Sequence, residues 1–355
     1  MIFFCGQLPP PLHGFSSINL KMLKILENYE TKSFNLAPNL DTRNLIIRFF
    51  LSLYKFLYFA LEAVKCKPAS LYIGLSGGIR QIVDALYIWV CMPLGTRCFV
   101  HHHSFAYLNR TPAFSKCILF TLRRCHHIVL CECMKNLLSS RYGIDPRHID
   151  VISNAAFIEP KHVSRDPAKR GQGLALGFLS NITYEKGIRE VFSIFKSVST
   201  LVPNSKLLIA GPVNSEAQDW LDQQVSEHDN ITYIGPVYDD QKRKFFEEID
   251  VFLFPTNYVN EAEPMVILEA FSYGIPVIAK PRGCIGELLN IENGRLMSNS
   301  SSSLDSELDL RDWIIQLGQD SSLFSRTHKG AIRTFDKLHR DGQGAILKVI
   351  ERMKK

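Results

Sequence analysis

The chain has 355 residues, 46% of them hydrophobic and 21% charged, which is enough for about two core-bearing domains of ~150 residues or more. Its net charge of +6 hides an asymmetry: residues 1–170 carry 21 Lys+Arg against 10 Asp+Glu, and residues 171–355 carry 20 against 25. The basic half lacks any aromatic-basic nucleic-acid motif, so nucleic acid is set aside in favour of a membrane surface or a phosphorylated acceptor.

An apolar strand, Ile2 to Cys5, opens the chain, without a basic leader region or cleavage site, so no signal peptide is expected. The proline loop from Gly6 to Ser17 follows, and Gly14 with its two serines opens a helix of period 3.6 (Ile18, Met22, Leu23, Ile25, Leu26). Asn44 to Lys65 reads as a helix crowded with aromatics and interrupted by Arg48, Lys55 and Lys65. Two readings stand: a packing helix, or an interfacial helix lying on lipid. Strands follow at Ser70–Gly74, Thr96–Val100 and His126–Cys131, with a helix from Ile79 to Met92. No stretch reaches the roughly 18 uncharged apolar residues a spanning helix needs.

The nine scattered cysteines predict buried free thiols in a reducing cytoplasm. Cys125-His126-His127 and Cys131-Glu132-Cys133 look like metal ligands, but both sit on or beside an apolar strand and read as core.

Residues 159–173 are polar, basic and rich in proline and glycine, and are taken as a linker. A second strand–helix series then runs through Leu174–Leu179, Gly187–Thr200, Lys206–Ala210, Ile231–Val237, Val251–Phe254 and Pro276–Ala279. A serine loop lies at 298–303, and the chain from Leu310 is mostly helical. Strands alternating with helices in both halves predict parallel sheets covered on both faces.

One stretch of the second half carries chemistry. Glu261 and Glu269 bracket Pro264, Met265 and Val266, just after the strand that ends at Pro255. A loop acid, a helix N-terminus and a second acid make an anion site flanked by groups that accept hydrogen bonds from hydroxyls. The bland alternative is a pair of acids favoured by the helix dipole.

With Tyr273-Gly274-Ile275-Pro276-Val277 after it, this Glu-x7-Glu pattern resembles that of glycosyltransferase family 4, and the resemblance covers nearly the whole chain. It implies an α/β chain of GT-B fold: two facing Rossmann-like, doubly wound parallel-sheet domains with a cleft between them. The domains would be 1–165 on the acceptor side and 166–335 on the donor side, with a C-terminal helix at 336–355 packing back toward the first. It also implies a retaining transferase that moves a sugar from a nucleotide-diphosphate donor to a saccharide or lipid-linked saccharide, in cell-surface polysaccharide or lipopolysaccharide synthesis. Glu261 would contact the donor sugar, Glu269 the ribose, and the amides near Pro264, Met265 and Val266 the diphosphate and sugar. Lys186 would meet the diphosphate, while the family's usual arginine is replaced by Asn181. Asparagine can donate a hydrogen bond but brings no charge. Gly235-Pro236-Val237 would hold the base. In the first half, His103 would lie beside the reacting sugar, with His101 as second choice, and Gly14 would approach the diphosphate.

No cofactor and no catalytic metal are expected, since the chain has no Asp-x-Asp triplet. The protein is expected in the cytoplasm, peripheral on the inner face of the membrane. Two other readings are a GT-B sugar-nucleotide epimerase and a non-catalytic nucleotide-sugar-binding partner, the latter suggested by Asn181.

Overall fold

The computed structural model describes residues 1–10, 13–37, 44–161, 163, 173–298 and 304–355. Pro11 and Leu12, most of the expected linker at 159–173 and most of the serine loop at 298–303 lie outside the described residues. The chain forms two compact units, one of Met1–Phe157 with Asn260–Glu263 and His339–Lys355, the other of Ile158–Val259 with Pro264–Leu338.

The first unit alternates β1 (Ile2–Gly6), α1 (Gly14–Leu26), β2 (Thr31–Asn35), α2 (Leu45–Cys66), β3 (Ser70–Leu75), α3 (Arg80–Cys91) and β4 (Arg97–His102). It continues through α4 (Ala106–Asn109), α5 (Ala113–Leu122), β5 (His126–Val129), α6 (Glu132–Tyr142) and β6 (Ile149–Val151). All strand pairs are parallel, in the order β2-β1-β3-β4-β5-β6. Every residue of β1 and β3 is buried, as expected of strands covered on both faces. The order reverses direction between β1 and β3, which makes a crevice at their C-terminal ends.

Sequence reading missed β2. It is an edge strand in which only Phe34 is buried, so it carries no apolar run. α2 is capped by Asn44, whose side chain accepts from the N–H groups of Ile46 and Ile47. Only Phe59 and Ala63 of its 22 residues are buried. The last turns of the chain belong to this unit: the Ser70 hydroxyl donates to the Met353 carbonyl (2.7 Å), and Arg352 pairs with Asp150 (2.6 Å).

The second unit runs β7 (Ala175–Leu179), α7 (Ile188–Ser199), β8 (Lys206–Ala210), α8 (Ser215–Ser226), β9 (Ile231–Tyr233), α9 (Asp239–Glu248) and β10 (Val251–Phe254). Then come α10 (Met265–Ser272), β11 (Val277–Ala279), α11 (Ile285–Leu288), β12 (Gly294–Leu296), α12 (Leu304–Gln319) and the start of α13 (Ser321–Lys354). Its sheet is ordered β12-β11-β10-β7-β8-β9, with the reversal between β7 and β10. The core joins Leu176, Phe178, Ile209 and Leu253 to Val191 and Phe195 of α7 and to Trp313 and Ile314 of α12.

Cys5, Cys66, Cys91, Cys98, Cys117, Cys125 and Cys133 are free thiols. Cys117 among them is exposed, which departs from the expectation of buried thiols: the count and scatter of cysteines carry no information on which helix face each one occupies.

Candidate functional site

In the first unit, the residues singled out cluster at the C-terminal ends of the strands. α1 starts at Gly14, but the cap itself is made by its neighbours. His13 Nδ1 accepts from the Ser16 N–H (3.2 Å) and Ser16 Oγ accepts from the His13 N–H (3.0 Å), a reciprocal capping box. Gly14 is exposed, and a Cβ there would meet nothing within 4 Å. At the β1/β3 reversal, Gln7 Nε2 donates to Ser76 Oγ (2.9 Å), and the Ser76 N–H donates to buried Asp84 (2.7 Å). Burial pushes the Asp84 carboxyl up to about 6.

The three histidines separate by strand alternation. His102 points into a closed network: its Nδ1 lies 2.7 Å from the Tyr107 hydroxyl, its Nε2 2.9 Å from His127 Nδ1, and His127 Nε2 3.1 Å from the Leu122 carbonyl. A carbonyl only accepts, so His127 Nε2 carries its proton. His127 Nδ1 then accepts from His102 Nε2, and the Tyr107 hydroxyl donates to His102 Nδ1. All three groups are satisfied and neutral. His102 is therefore the structural member.

His101 and His103 share the other side, with ring centroids 4.0 Å apart, and the Phe15 ring of α1 lies 4.9 Å from His103. Tyr72 holds His101 Nδ1 at 2.6 Å. The Nε2 atoms of both histidines are buried and have no hydrogen-bond partner among the described residues. Burial pushes His103 down to about 3 and His127 to about 4. His101 is held well below the ordinary imidazole value by burial, then by its histidine neighbours. Two neutral rings with open nitrogens can exchange hydrogen bonds with a hydroxylated ligand without bringing net charge.

The segment Asn260–Glu263 also belongs to this unit. Sequence reading passed over the acid that secures it: Glu263 is 5% exposed and accepts from the Ser153 hydroxyl (2.8 Å) and the Asn154 N–H (2.5 Å). Half-buried Glu261 lies two residues before this anchor.

In the second unit, the reversal between β7 and β10 is where Lys186 lies. Gly187 has φ +87° and packs on Pro255, where a Cβ would come within 2.4 Å of the carbonyl oxygen; only glycine fits both constraints. The Asn257 N–H donates to the Glu185 carbonyl (2.8 Å), and Lys186 Nζ lies 4.6 Å from the Tyr258 ring centroid. Asn181, at the start of the same loop, is exposed.

A cation that sequence reading missed ties this corner together. Lys280, 8% exposed, follows β11 and donates to Asn257 Oδ1 (2.6 Å) and to Glu190 Oε1 (3.1 Å), which also accepts from Asn257 Nδ2 (2.7 Å). Burial raises the Glu190 carboxyl, but the bonds from Asn257 and Lys280 outweigh it and hold the group below its ordinary value. The readable signal was a lysine directly after a fully apolar strand.

α10 begins at Met265 with Pro264 as N-cap, whose side chain makes no cap bond, so the first N–H groups of the helix point out from its N-terminal end. Glu269, one turn on, is gripped by Lys242 of α9, at 2.7 Å from Oε1 and 2.6 Å from Oε2. Val237 is buried in the turn that leads into α9, after Gly235 at φ +74°. The Lys242–Glu269 pair thus fixes the Val237 turn relative to α10. Lys242 was also missed, because nothing in the local sequence marks it as different from other surface lysines of an amphipathic helix.

Within this unit, the structure brings together Lys186, Val237, Pro264, Met265, Val266 and Glu269 along one edge of the sheet, with Asn181 exposed at its margin. Within the first unit, it brings His101 and His103 beside the start of α1, with Gly14 exposed one residue from the phenylalanine that packs on His103. Among the described residues, no group of three or more His, Cys, Asp or Glu is placed to hold a metal ion.

A family described as glycosyl transferases group 1 matches residues 162–313. One component of human phosphatidylinositol N-acetylglucosaminyltransferase is 26% identical over 211 residues, covering 58% of this chain and 42% of that protein. The Staphylococcus aureus capsular polysaccharide biosynthesis glycosyltransferase CapM is 30% identical over 124 residues, 34% of this chain and 31% of that protein. The chain therefore spans less than half the length of these relatives. The crystal structure of Anabaena HepE in complex with UDP has the same fold, with a TM-score of 0.71 at 15% identity over 99% of both chains. Two six-stranded parallel sheets with reversed strand order give this chain the GT-B fold, and its residues 162–313 match the glycosyl transferases group 1 family.

Proposed function

We propose that the protein is a retaining, metal-independent glycosyltransferase that moves a sugar from a nucleotide diphosphate to a saccharide or lipid-linked saccharide in cell-surface polysaccharide synthesis. The observation that carries this reading is the second unit's strand edge. Lys186 stands at the reversal between β7 and β10, α10 opens on Pro264, whose side chain makes no cap bond, and Lys242 holds Glu269 in place. Crevices at such reversals are where open α/β sheets bind ligands.

Each group then has a task. The departing nucleoside diphosphate gathers negative charge, which Lys186 and the first amides of α10 stabilise electrostatically. Glu269 accepts from the ribose hydroxyls, the Val237 turn meets the base, and Glu261 accepts from the donor sugar. His103 hydrogen-bonds the reacting sugar as a neutral group, with His101 behind it. The acceptor attacks the face that the leaving group vacates, its proton passing to the phosphate oxygen as the glycosidic bond forms. The human and staphylococcal relatives, one glycosylating a phosphatidylinositol and one in capsule synthesis by their names, support the choice of acceptor class.

The test is a thermal-shift and titration series with uridine, guanosine and adenosine diphosphates and their sugar conjugates. One diphosphate should bind, and Glu269→Ala should abolish that binding with the fold intact. Unchanged affinity in this variant removes the ribose role. Asn181, exposed where the family's arginine is expected, favours one competing reading, a non-catalytic sugar-nucleotide-binding partner. Binding without turnover toward any acceptor would establish it, and donor turnover without an acceptor would point to an epimerase.

A further inference from the structure

The outer face of the first unit is unlike the rest of its surface. Right-handed crossovers place α2, α3 and α5 on one side of the sheet, and side chains join them. The Phe56 and Phe59 rings pack on Tyr87 at 5.4 and 4.8 Å, and the Trp89 indole donates to Thr121 (2.8 Å).

α3 buries one stripe, Gln81, Asp84, Ala85 and Ile88. Every exposed residue on its other side is apolar: Ile82, Val83, Leu86 and Trp89. Their spacing of three or four makes a continuous stripe, extended by Ile79, which is 78% exposed. α2 repeats the pattern, with Ile46, Phe50, Tyr54, Leu57 and Leu61 between 51% and 72% exposed. Among its exposed residues, tyrosines aside, only Ser52 and Lys65 are polar. A helix of 22 residues is about 33 Å long, so the two stripes form a patch, not scattered single residues.

Charge selects the occupant. Residues 44–125 contain ten Lys+Arg and two acids, Glu62 and Asp84. Glu62 pairs with Lys32 at 2.5 Å and Asp84 is buried. The patch therefore offers cations and apolar groups with no unpaired exposed carboxylate. A second copy docked on this face would oppose like charges with nothing to pair them. A bilayer carrying anionic headgroups supplies both the apolar layer and the counter-charge. No helix of the described residues is long and apolar enough to cross a membrane, so the contact is one of lying on the surface.

We propose that the outer face of α2 and α3, with Phe120 and Arg123 at the α5 edge, docks on an anionic lipid bilayer. Arg123 lies over the Phe120 ring at 4.4 Å, so the apolar and cationic groups of that edge act together. The inference deepens the acceptor side of the proposed function by giving a lipid-linked acceptor its surface. Its test uses no donor, so vesicle binding and nucleotide binding fail independently.

The experiment is co-sedimentation of the full chain with phosphatidylglycerol–phosphatidylcholine vesicles and with phosphatidylcholine alone. The protein should pellet with the anionic vesicles and release as salt rises. Leu86→Glu and Phe50→Glu should each weaken binding roughly tenfold or more, with Tm unchanged because both positions are exposed. Arg48→Glu with Lys65→Glu should weaken it at low salt, which keeps the proposal testable if an apolar variant folds poorly. Wild-type protein that stays in solution with anionic vesicles overturns the proposal. So do folded glutamate variants that bind as well as the parent. A concentration-dependent dimer that these variants dissociate assigns the face to a second copy, and also overturns it.

Discussion

In the first unit the strand ends hold neutral imidazoles, a buried carboxyl raised to about 6 and hydroxyls that close hydrogen-bond chains. In the second unit the same edge of an equivalent sheet holds lysines, each partnered by a carboxylate, an amide or an aromatic face. Equivalent topology has been filled with opposite electrostatics. The neutral edge suits hydroxylated groups that must be oriented, and the charged edge suits a leaving group that gains negative charge. If this division holds, substitutions on the charged edge should change function at nearly constant stability, and those inside the neutral edge should split between the two.

The largest effect is expected at Lys186. Lys186→Ala should lower the transfer rate by roughly 10²–10³-fold, the cost of about 2.7–4 kcal/mol for losing one preorganised contact. Its unfolding temperature should barely move, since Nζ contacts a half-exposed ring face. A full-speed variant would show that Lys186 is not the diphosphate contact.

Next come the histidines, which test the neutral edge from inside. His102→Ala strands the Tyr107 hydroxyl and His127 Nδ1, each costing about 1–3 kcal/mol when buried without a partner. Chemical denaturation should therefore show a clear loss of stability. His103→Ala, whose Nε2 has no partner among the described residues to strand, should unfold near the parent's midpoint and lose transfer activity instead. Equal destabilisation by both would erase the distinction between structural and site histidines.

The pH dependence follows from the same rings. His101, His102, His103 and His127 all have folded values lowered from the ordinary 6.5, with His103 at about 3 and His127 at about 4. Below 6.5 the unfolded chain binds protons that the folded chain refuses. The stability is therefore complete above pH 6.5 and declines as pH falls from there toward 3. Each such ring contributes a slope of at most about 1.4 kcal/mol per pH unit. Asp84 works in the opposite sense: its raised carboxyl is a penalty at neutral pH that is relieved between about 6 and 3.8. Four rings outweigh one carboxyl, so urea midpoints should fall steadily below pH 6, and His127→Gln should flatten the slope. A midpoint independent of pH over that range would contradict the buried neutral cluster.

Much of this was legible in the sequence because it is local. Continuous apolar runs announced β1, β3, β7 and β10, and the spacing of Glu261, Pro264 and Glu269 located the start of α10. What was hidden depends on tertiary neighbours. β2 carries no apolar run because it borders the sheet on one side only. Lys242 acquires a role only because α9 crosses the sheet to reach Glu269, and Lys280 because β11 delivers it to Glu190 and Asn257. The sequence reading preferred His103 and His101, but the Tyr107–His127 network that holds His102 depends on tertiary neighbours that no run of three identical residues can reveal. α2 is the reverse case: its composition was plain, but only the structure shows that 20 of its 22 residues escape burial.

Lys280 gives the smallest and most discriminating effect, because it lies on the charged edge and acts through others. Lys280→Met keeps the length of the side chain and removes the cation, leaving Glu190 and Asn257 bonded to each other. Glu190 is partly exposed, with 32% of its side chain accessible, so water replaces part of the lost interaction and the stability cost should stay near ~1 kcal/mol. The functional consequence passes through the loop. Asn257 anchors the Glu185 carbonyl and precedes the Tyr258 ring that lies against Lys186, so a looser Asn257 lets Lys186 wander from the position it holds. The donor KM should rise several-fold while kcat changes little, and Lys280→Arg should restore part of the affinity. A loss confined to kcat would instead place Lys280 in direct contact with the reacting groups. An unchanged KM would show that the Lys186 turn is held by Gly187 and Pro255 alone.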